Sequence, residues 1–111
     1  MATIESLQQF VESRLEGQLV LVRDHMAGVI IGFCNGINLA EGVCVLTRAR
    51  KVHSWTAAAA VEGLATRGAG EDSKITPPVD LVVLRSLVQV IPMAEAAMPS
   101  TYYAKEWSDF S

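Results

Sequence analysis

The chain has 111 residues, of which 50% are hydrophobic and 19% are charged, and its formal net charge is −3. This length predicts a single domain over residues 1–111, and the hydrophobic content supplies a core and excludes a disordered protein. The acidic balance argues against a protein that grips a DNA or RNA polymer along its phosphates. A mean hydropathy of +0.30 is high for so short a chain, which predicts apolar surface shared in a homo-oligomer.

Residues 1–16 are predicted to form an N-terminal helix. Ile4, Leu7, Phe10, Val11 and Leu15 fall at helical spacing, with polar residues between them. Thr3 is the expected N-cap, and Gly17 is the expected end of the helix. The segment has neither the basic start nor the apolar block of a signal peptide, and no run in the chain approaches the length of a membrane span. We therefore expect a cytoplasmic protein that makes no membrane contact.

Three apolar segments are predicted to form an antiparallel meander of strands. They cover residues 18–24, 27–34 and 43–47, and the third can continue to residue 53. Asn35-Gly36 is expected to be the turn that closes the second strand. Cys34 and Cys44 lie inside these runs, where we expect reduced core thiols. The spacing of cysteines and histidines does not suggest a metal site, and we expect neither a metal nor a cofactor.

The second half of the chain is predicted to add a helix and further strands. Residues 56–67 form the expected helix, with Thr56 as its cap and Gly68 at its end. Pro77-Pro78 favours an extended edge, and residues 80–86 and 87–92 form two strands or one broken strand. Residues 93–98 are predicted to make one or two helical turns. The expected fold is thus α+β: an N-terminal helix, an antiparallel meander and a second helix packed on it, in an oligomer.

The sequence favours binding over catalysis. It has no nucleophile elbow, no P-loop and no dinucleotide-binding fingerprint. The cysteines have the pattern of buried, inert thiols, so a Cys–His catalytic pair is not expected. We predict that the chain is not an enzyme.

The strongest candidate site is the basic and aromatic segment at residues 47–55. In a regular strand Arg48 and Arg50 would project from one face, and His53 from the other. Arginine binds phosphates in a bidentate fashion and tryptophan stacks on bases, so this segment with Trp55 suits a nucleotide ligand. The alternative is a solvated strand end with Trp55 filling the core.

Further candidate ligand-binding residues are Arg23, Gly28, Lys74, Tyr102 and Tyr103. Arg23 ends an apolar strand and can instead pair with a neighbouring carboxylate. Gly28 allows close approach of a ligand or of another backbone, and Lys74 follows a glycine-containing loop. The tyrosines belong to an aromatic-rich tail, residues 99–111, that also contains Trp107 and Phe110. We expect this tail to dock on a partner subunit or over a pocket, the alternative being a disordered terminus.

Short segments over residues 18–107 resemble, in order and spacing, a family of small phage proteins. They are Val20-Leu21-Val22-Arg23, Ala27-Gly28-Val29, Ala49-Arg50-Lys51 leading to Trp55, Leu64-Ala65 with Gly68, Lys74-Ile75, Pro78-Val79 and Val90-Ile91-Pro92. The family is the first type of Thoeris anti-defence protein. Its members sequester cyclic ADP-ribose isomers made by bacterial immune enzymes, and some are candidates for hexamers that hold cyclic oligonucleotides at separate sites.

The resemblance implies a phage sponge protein in the cytoplasm of an infected bacterial cell, without catalysis or cofactor. It implies family-like basic positions at Arg23, Arg50 and Lys74, with Trp55 nearby. This chain has His53 where members often have an aromatic residue, and Ala59 where they have a polar one. A cyclic nucleotide signal and a homo-oligomer, dimer or hexamer, are the implied partners. The alternatives are a structural or assembly oligomer and a small nucleotide hydrolase.

Overall fold

The computed structural model describes residues 3–56, 58 and 60–107, and it confirms the α+β class. Ala59 and Phe110, singled out in the sequence, lie outside these residues. The elements in chain order are α1 (Ile4–Leu15), β1 (Leu19–Asp24), β2 (Gly28–Asn38), β3 (Val43–Ser54), α2 (Val61–Thr66), β4 (Lys74–Ile75), β5 (Val79–Leu84), β6 (Leu87–Pro92) and a 3₁₀ turn (Glu95–Ala97).

The predicted meander of β1, β2 and β3 is confirmed, and the later strands extend it on both sides. β6 pairs antiparallel with β1, while β5 pairs antiparallel with β3, whose far end also pairs with β4. Arg85 and Ser86 alone join β5 to β6. Because the three residue steps from Leu84 to Leu87 span at most about 11 Å, the two sides of the meander must curl toward each other.

Both faces of the sheet are covered by apolar side chains. Alternate residues of β1 belong to different core clusters: Leu19 and Leu21 pack with α2, and Val20 and Val22 pack with β5. This follows from the two-residue period of a strand, which sends successive side chains to opposite faces. A strand buried on both faces is nearly continuous in apolar residues, as β1 is.

The ends of α1 follow the sequence prediction. The hydroxyl of Thr3 accepts a hydrogen bond from the backbone of Ser6, and the Ser6 hydroxyl accepts one from the backbone of Thr3, which forms a capping box. Gly17 follows the helix with φ +81°, a conformation that favours glycine. Neither helix in the described part of the chain is long and apolar enough to cross a membrane.

The turn predicted at Asn35-Gly36 is wrong. β2 continues to Asn38 and passes these residues with a bulge between Cys34 and Gly36. The chain reverses instead at residues 39–42, where the Asn38 side chain accepts a hydrogen bond from the Glu41 backbone and Gly42 has φ +69°. Ile37 remains packed against the core, so apolar contact beyond the glycine outweighs the local turn preference.

The second helix is shorter than predicted, because α2 begins at Val61 and not after Thr56. Its N-cap is Ala60, which offers no side-chain acceptor, and the backbone N–H of Thr56 donates to the Ser73 hydroxyl. Thr56 therefore holds the loop before β4 and does not cap the helix. The predicted end at Gly68 is confirmed, since α2 ends at Thr66 and Gly68 has φ +97°.

Asp24 is a buried carboxylate that ties two turns together, and we expect Asp24→Ala to lower the free energy of unfolding by about 2 kcal/mol. Its oxygens accept hydrogen bonds from the backbone N–H groups of Met26, Ala27 and Ser86, at 2.9, 2.9 and 3.0 Å. Burial alone would raise the pKa of Asp24, but these donors outweigh it and hold that pKa below its ordinary value.

The stabilisation by Asp24 is therefore complete above about pH 4, its unfolded pKa, and is lost as the pH falls through the lower pKa of the folded state. Urea unfolding of wild type and Asp24→Ala between pH 7 and pH 2 measures this difference. A difference that stays constant across the whole range would contradict the role of the ionised carboxylate.

Candidate functional site

Arg50 is buried, with only 4% of its surface exposed, and its guanidinium binds backbone carbonyls. It donates to the oxygens of Thr76 (2.7 Å), Ala104 (2.8 Å) and Ile75 (3.2 Å), and also to that of Tyr102. These carbonyls belong to β4, the residue after it and the tail. We call this set of contacts the Arg50 latch, because it fastens β4 and the tail to β3.

The charge of Arg50 is stabilised by these carbonyls and by a nearby carboxylate. Burial lowers the pKa of the Arg50 guanidinium, and the negative charge of Glu106 acts in the opposite direction. Sequence reasoning predicted Arg50 as a phosphate ligand. In the structure the N–H groups of Arg50 donate to backbone carbonyls instead.

Arg48 and the two tail tyrosines surround the latch. The hydroxyl of Tyr102 donates to the carbonyl of Arg48 at 2.6 Å, and the buried Tyr102 ring meets the ring of Phe33 edge-on at 5.5 Å. Tyr103 is exposed and lies edge-on to Tyr102 at 5.2 Å. Arg48 has φ +51° and its side chain is exposed. The tail is thus docked on its own sheet, and Tyr103 and Arg48 remain accessible to solvent.

Two predicted site residues, His53 and Lys74, and the tail residue Trp107 form what we call the stacked cluster. The rings of His53 and Trp107 are stacked with centroids 4.8 Å apart at 20°, and the Lys74 Nζ lies 5.3 Å from the Trp107 centroid. The pairing of Ser54 with Lys74 brings β3 and β4 together here. The backbone N–H of Trp107 donates to the carbonyl of Ile75 at 2.9 Å, next to the Arg50 latch.

Trp107 also borders a cavity of about 610 Å³ between the loop after α2 and the tail. Lys105, Ser73 and Ser100 contribute polar groups to its wall, and Glu71 and Glu106 add negative charge. This volume is in the range of pockets that hold small molecules and cofactors. An aromatic face beside ammonium and hydroxyl groups can hold a base and its phosphates.

Arg23 and Trp55 lie together at a second, smaller cavity of about 420 Å³, which we call the Arg23–Trp55 groove. Trp55 is half-buried, and its indole N–H donates to the carbonyl of Ala58 at 3.1 Å. Glu62 also lines the groove and accepts a hydrogen bond from the Gln89 amide at 3.2 Å. A backbone N–H and then Gln89 lower the pKa of Glu62, whose carboxylate lines the groove together with Arg23.

Gly28 lines neither of these cavities. It begins β2 with φ +86°, and a side-chain carbon added there would lie 3.8 Å from the Lys51 Cε. The left-handed backbone of the β1–β2 turn explains the glycine at this position.

The cysteines form no reactive site. Cys34 and Cys44 are free and buried, as the sequence predicted. Burial raises the pKa of both thiols, that of Cys44 to about 12, so they stay protonated at neutral pH. Within residues 3–56, 58 and 60–107 no group of three His, Cys, Asp or Glu side chains could hold a metal ion.

The sequence prediction treated Arg48, Arg50, His53 and Trp55 as one binding strand, and the structure separates them. Arg50 joins the latch, His53 the stacked cluster and Trp55 the groove with Arg23. Trp107 and Lys105 were not predicted as site residues. The aromatic-rich tail was the only signal that pointed to Trp107.

Comparison with known proteins gives a family for the chain. The family model described as a domain of unknown function, DUF6948, matches residues 17–101. No curated protein and no solved structure matches the chain. The match covers β1 to β6 and the start of the tail, more than half of the chain, and the chain belongs to the DUF6948 family.

Proposed function

We propose that this protein binds and sequesters a cyclic nucleotide signal, of the cyclic ADP-ribose class, without degrading it. The observation that carries the proposal is the stacked cluster, where the Lys74 ammonium lies 5.3 Å from the centre of an indole ring stacked on His53. Adenine-type rings and phosphates are the ligand groups that match an aromatic ring with an ammonium held over it.

The ligand would occupy the 610 Å³ cavity that Trp107 borders. Its base would lie against Trp107, where base stacking contributes about 1 to 3 kcal/mol. Lys74 and Lys105 would neutralise its phosphates, and the hydroxyls of Ser73 and Ser100 would contact its sugars. Arg50 would contribute by fixing the tail, and Arg23 with Trp55 would form a separate contact surface in the groove.

The sequence resemblance to Thoeris anti-defence proteins supports the choice of ligand class. Its segments include Val20–Arg23, Ala49–Lys51 with Trp55, and Lys74-Ile75. A sponge acts by mass action, so it needs tight binding, in the range of about −8 to −12 kcal/mol, and no reactive group. We propose the cytoplasm of an infected bacterial cell as its location, and a homo-oligomer as its form.

Thermal melting of the purified protein against a panel of cyclic ADP-ribose isomers and cyclic di- and trinucleotides tests this function. At 100 times its Kd, a ligand stabilises the fold by about 2.7 kcal/mol, which raises the Tm of a domain this size by roughly 10 °C. Linear ADP-ribose is the control, and chromatography of the heat-released ligand is expected to show it intact. A folded protein that no ligand of the panel stabilises would overturn the proposal, and altered ligand would favour a hydrolase.

The second candidate is an assembly protein without a small ligand. Ten large apolar side chains in the described part of the chain are exposed, four of them on α1 and three on β5. An exposed apolar patch of this kind is typical of subunit interfaces. Under this alternative, no ligand of the panel shifts the melting curve of the wild type or of a variant in the stacked cluster.

A further inference from the structure

β5 presents an unusual apolar face for an edge strand. Val79, Leu81 and Val83 are 51–57% exposed, whereas Val82 and Leu84 on the opposite face pack into the core. In the described residues the strand pairs only with β3, so its other edge offers backbone N–H and C=O groups. Charged or proline residues usually protect such an edge. On β5 the face with Val79, Leu81 and Val83 is aliphatic, and the exposed Asp80 is the one charged residue of the strand.

Within residues 3–56, 58 and 60–107, β6 pairs only with β1, which leaves it a free edge on the other side of the sheet. The backbone N–H of Met93 donates to the carbonyl of Leu19, so the alternating pattern of an antiparallel pair directs Ile91 and Gln89 toward β1. The backbone groups of Val90 then point away from β1, whereas Val88 lies at the register shift of this strand pair. Val88 is also 57% exposed.

A groove runs along this part of β6, with α1 as its other wall. Its volume is about 650 Å³, and Val90 and Pro92 face residues of the α1 end such as Val11 and Arg14 across it. The remaining apolar residues of α1, Ile4, Leu7 and Phe10, are exposed. The α1 wall of the groove has Val11 and Leu15 beside Ser13, Arg14 and Glu16, and the exposed apolar row of α1 continues beyond it.

We propose that β5 of one copy enters the groove of a second copy and pairs with its β6, so that identical chains join head to tail. The two strands have six residues each and belong to the same chain, so one contact covers one β5 and one β6. Every copy inside such an assembly then has both its β5 edge and its β6 edge paired. A partner protein that offers a single strand would leave one of these two edges unpaired. Such a heterologous contact closes a ring when its rotation permits and otherwise extends a chain.

The proposed contact is favourable because it buries three exposed surfaces at once: the free edge of β5, the free edge of β6 and the apolar face of β5. Pairing satisfies the free edges of β5 and β6, and it places the apolar face of β5 near the exposed apolar row of α1. A stable interface buries about 1,200 to 2,000 Å² in total, so the strand pairing must be accompanied by contact with α1. Assembly through these edges needs no ligand, so it can fail or succeed independently of the proposed binding function.

Leu81→Lys tests the β5 side, with light scattering after size-exclusion chromatography as the measurement. The exposed Leu81 contributes little to the monomer core, so we expect a folded monomer where the wild type is a dimer or larger. Met26→Lys, which places the same charge at an 80% exposed methionine in the β1–β2 turn, is expected to keep the wild-type mass. A monomeric wild type at 100 µM, or an unchanged mass for Leu81→Lys, would overturn the proposal.

Val90→Pro tests the β6 side and the head-to-tail geometry. It removes an outward N–H while leaving the bonds of Gln89 and Ile91 to β1, and circular dichroism checks that it folds. Each variant alone is expected to be monomeric. A mixture of the two retains one intact β5 and one intact β6, so it is expected to form heterodimers and nothing larger. If Val90→Pro dimerises alone and the mixture forms no new species, the contact is not head to tail.

Discussion

Arg50→Met is expected to lower the free energy of unfolding by about 3 kcal/mol, measured by urea denaturation. The substitution removes the guanidinium that binds four backbone carbonyls and leaves buried acceptors unsatisfied, each at a cost of about 1 to 3 kcal/mol before relaxation. Arg48→Met is the matched control, because Arg48 lies two residues before Arg50, carries the same charge and has an exposed side chain. We expect that control to change stability by less than about 0.5 kcal/mol.

The same variant is expected to release the tail before the whole domain unfolds. The latch holds the carbonyls of Tyr102, Ala104 and Ile75, and Ile75 in turn accepts from Trp107. Near-UV circular dichroism in native buffer should therefore lose the signal of the stacked rings. Equal effects of Arg50→Met and Arg48→Met on stability would contradict the latch.

Trp107→Ala is expected to weaken binding of the cyclic nucleotide by 10- to 100-fold, as measured by isothermal titration calorimetry. The loss corresponds to about 1 to 3 kcal/mol for one stacked base. Lys74→Met removes the positive charge held over the ring and is expected to weaken binding by about tenfold. Arg85→Met, which removes a cation in the β5–β6 turn at the other end of β3, should leave the affinity unchanged.

Substitutions in the Arg23–Trp55 groove test the alternative location of the ligand. If Arg23→Met and Trp55→Phe weaken binding more than Trp107→Ala does, the ligand lies in the groove and not beside the tail. The groove has an arginine, an aromatic ring and the Glu62 carboxylate, so this comparison decides between two defined surfaces.

The fold was predictable where local patterns and core packing agree. The apolar runs of β1 to β3 alternate between two faces that are both covered, and Thr3 and Gly17 mark the ends of α1. Asn35-Gly36 misled the prediction because the bulge lets Ile37 continue into the core. A local turn preference cannot account for contacts made beyond the glycine.

The site was harder to predict, because it depends on contacts between distant parts of the chain. Strand alternation placed Arg48 and Arg50 on one face, but the left-handed backbone of Arg48 interrupts the alternation and leaves Ala49 and Arg50 both buried. The carbonyl partners of Arg50 are 25 to 54 residues away in sequence. Trp107 reaches His53 only because these contacts fix the tail, and no periodicity in the tail signals this.

The most direct test is the fluorescence of Trp107 during titration with cyclic ADP-ribose isomers. The chain has two tryptophans, so Trp55→Phe leaves Trp107 as the single reporter. A ligand that stacks on this ring is expected to change its emission saturably, with the same Kd as calorimetry gives and with intact ligand recovered afterwards. Unchanged emission at a concentration where the ligand raises the Tm would contradict binding at the stacked cluster.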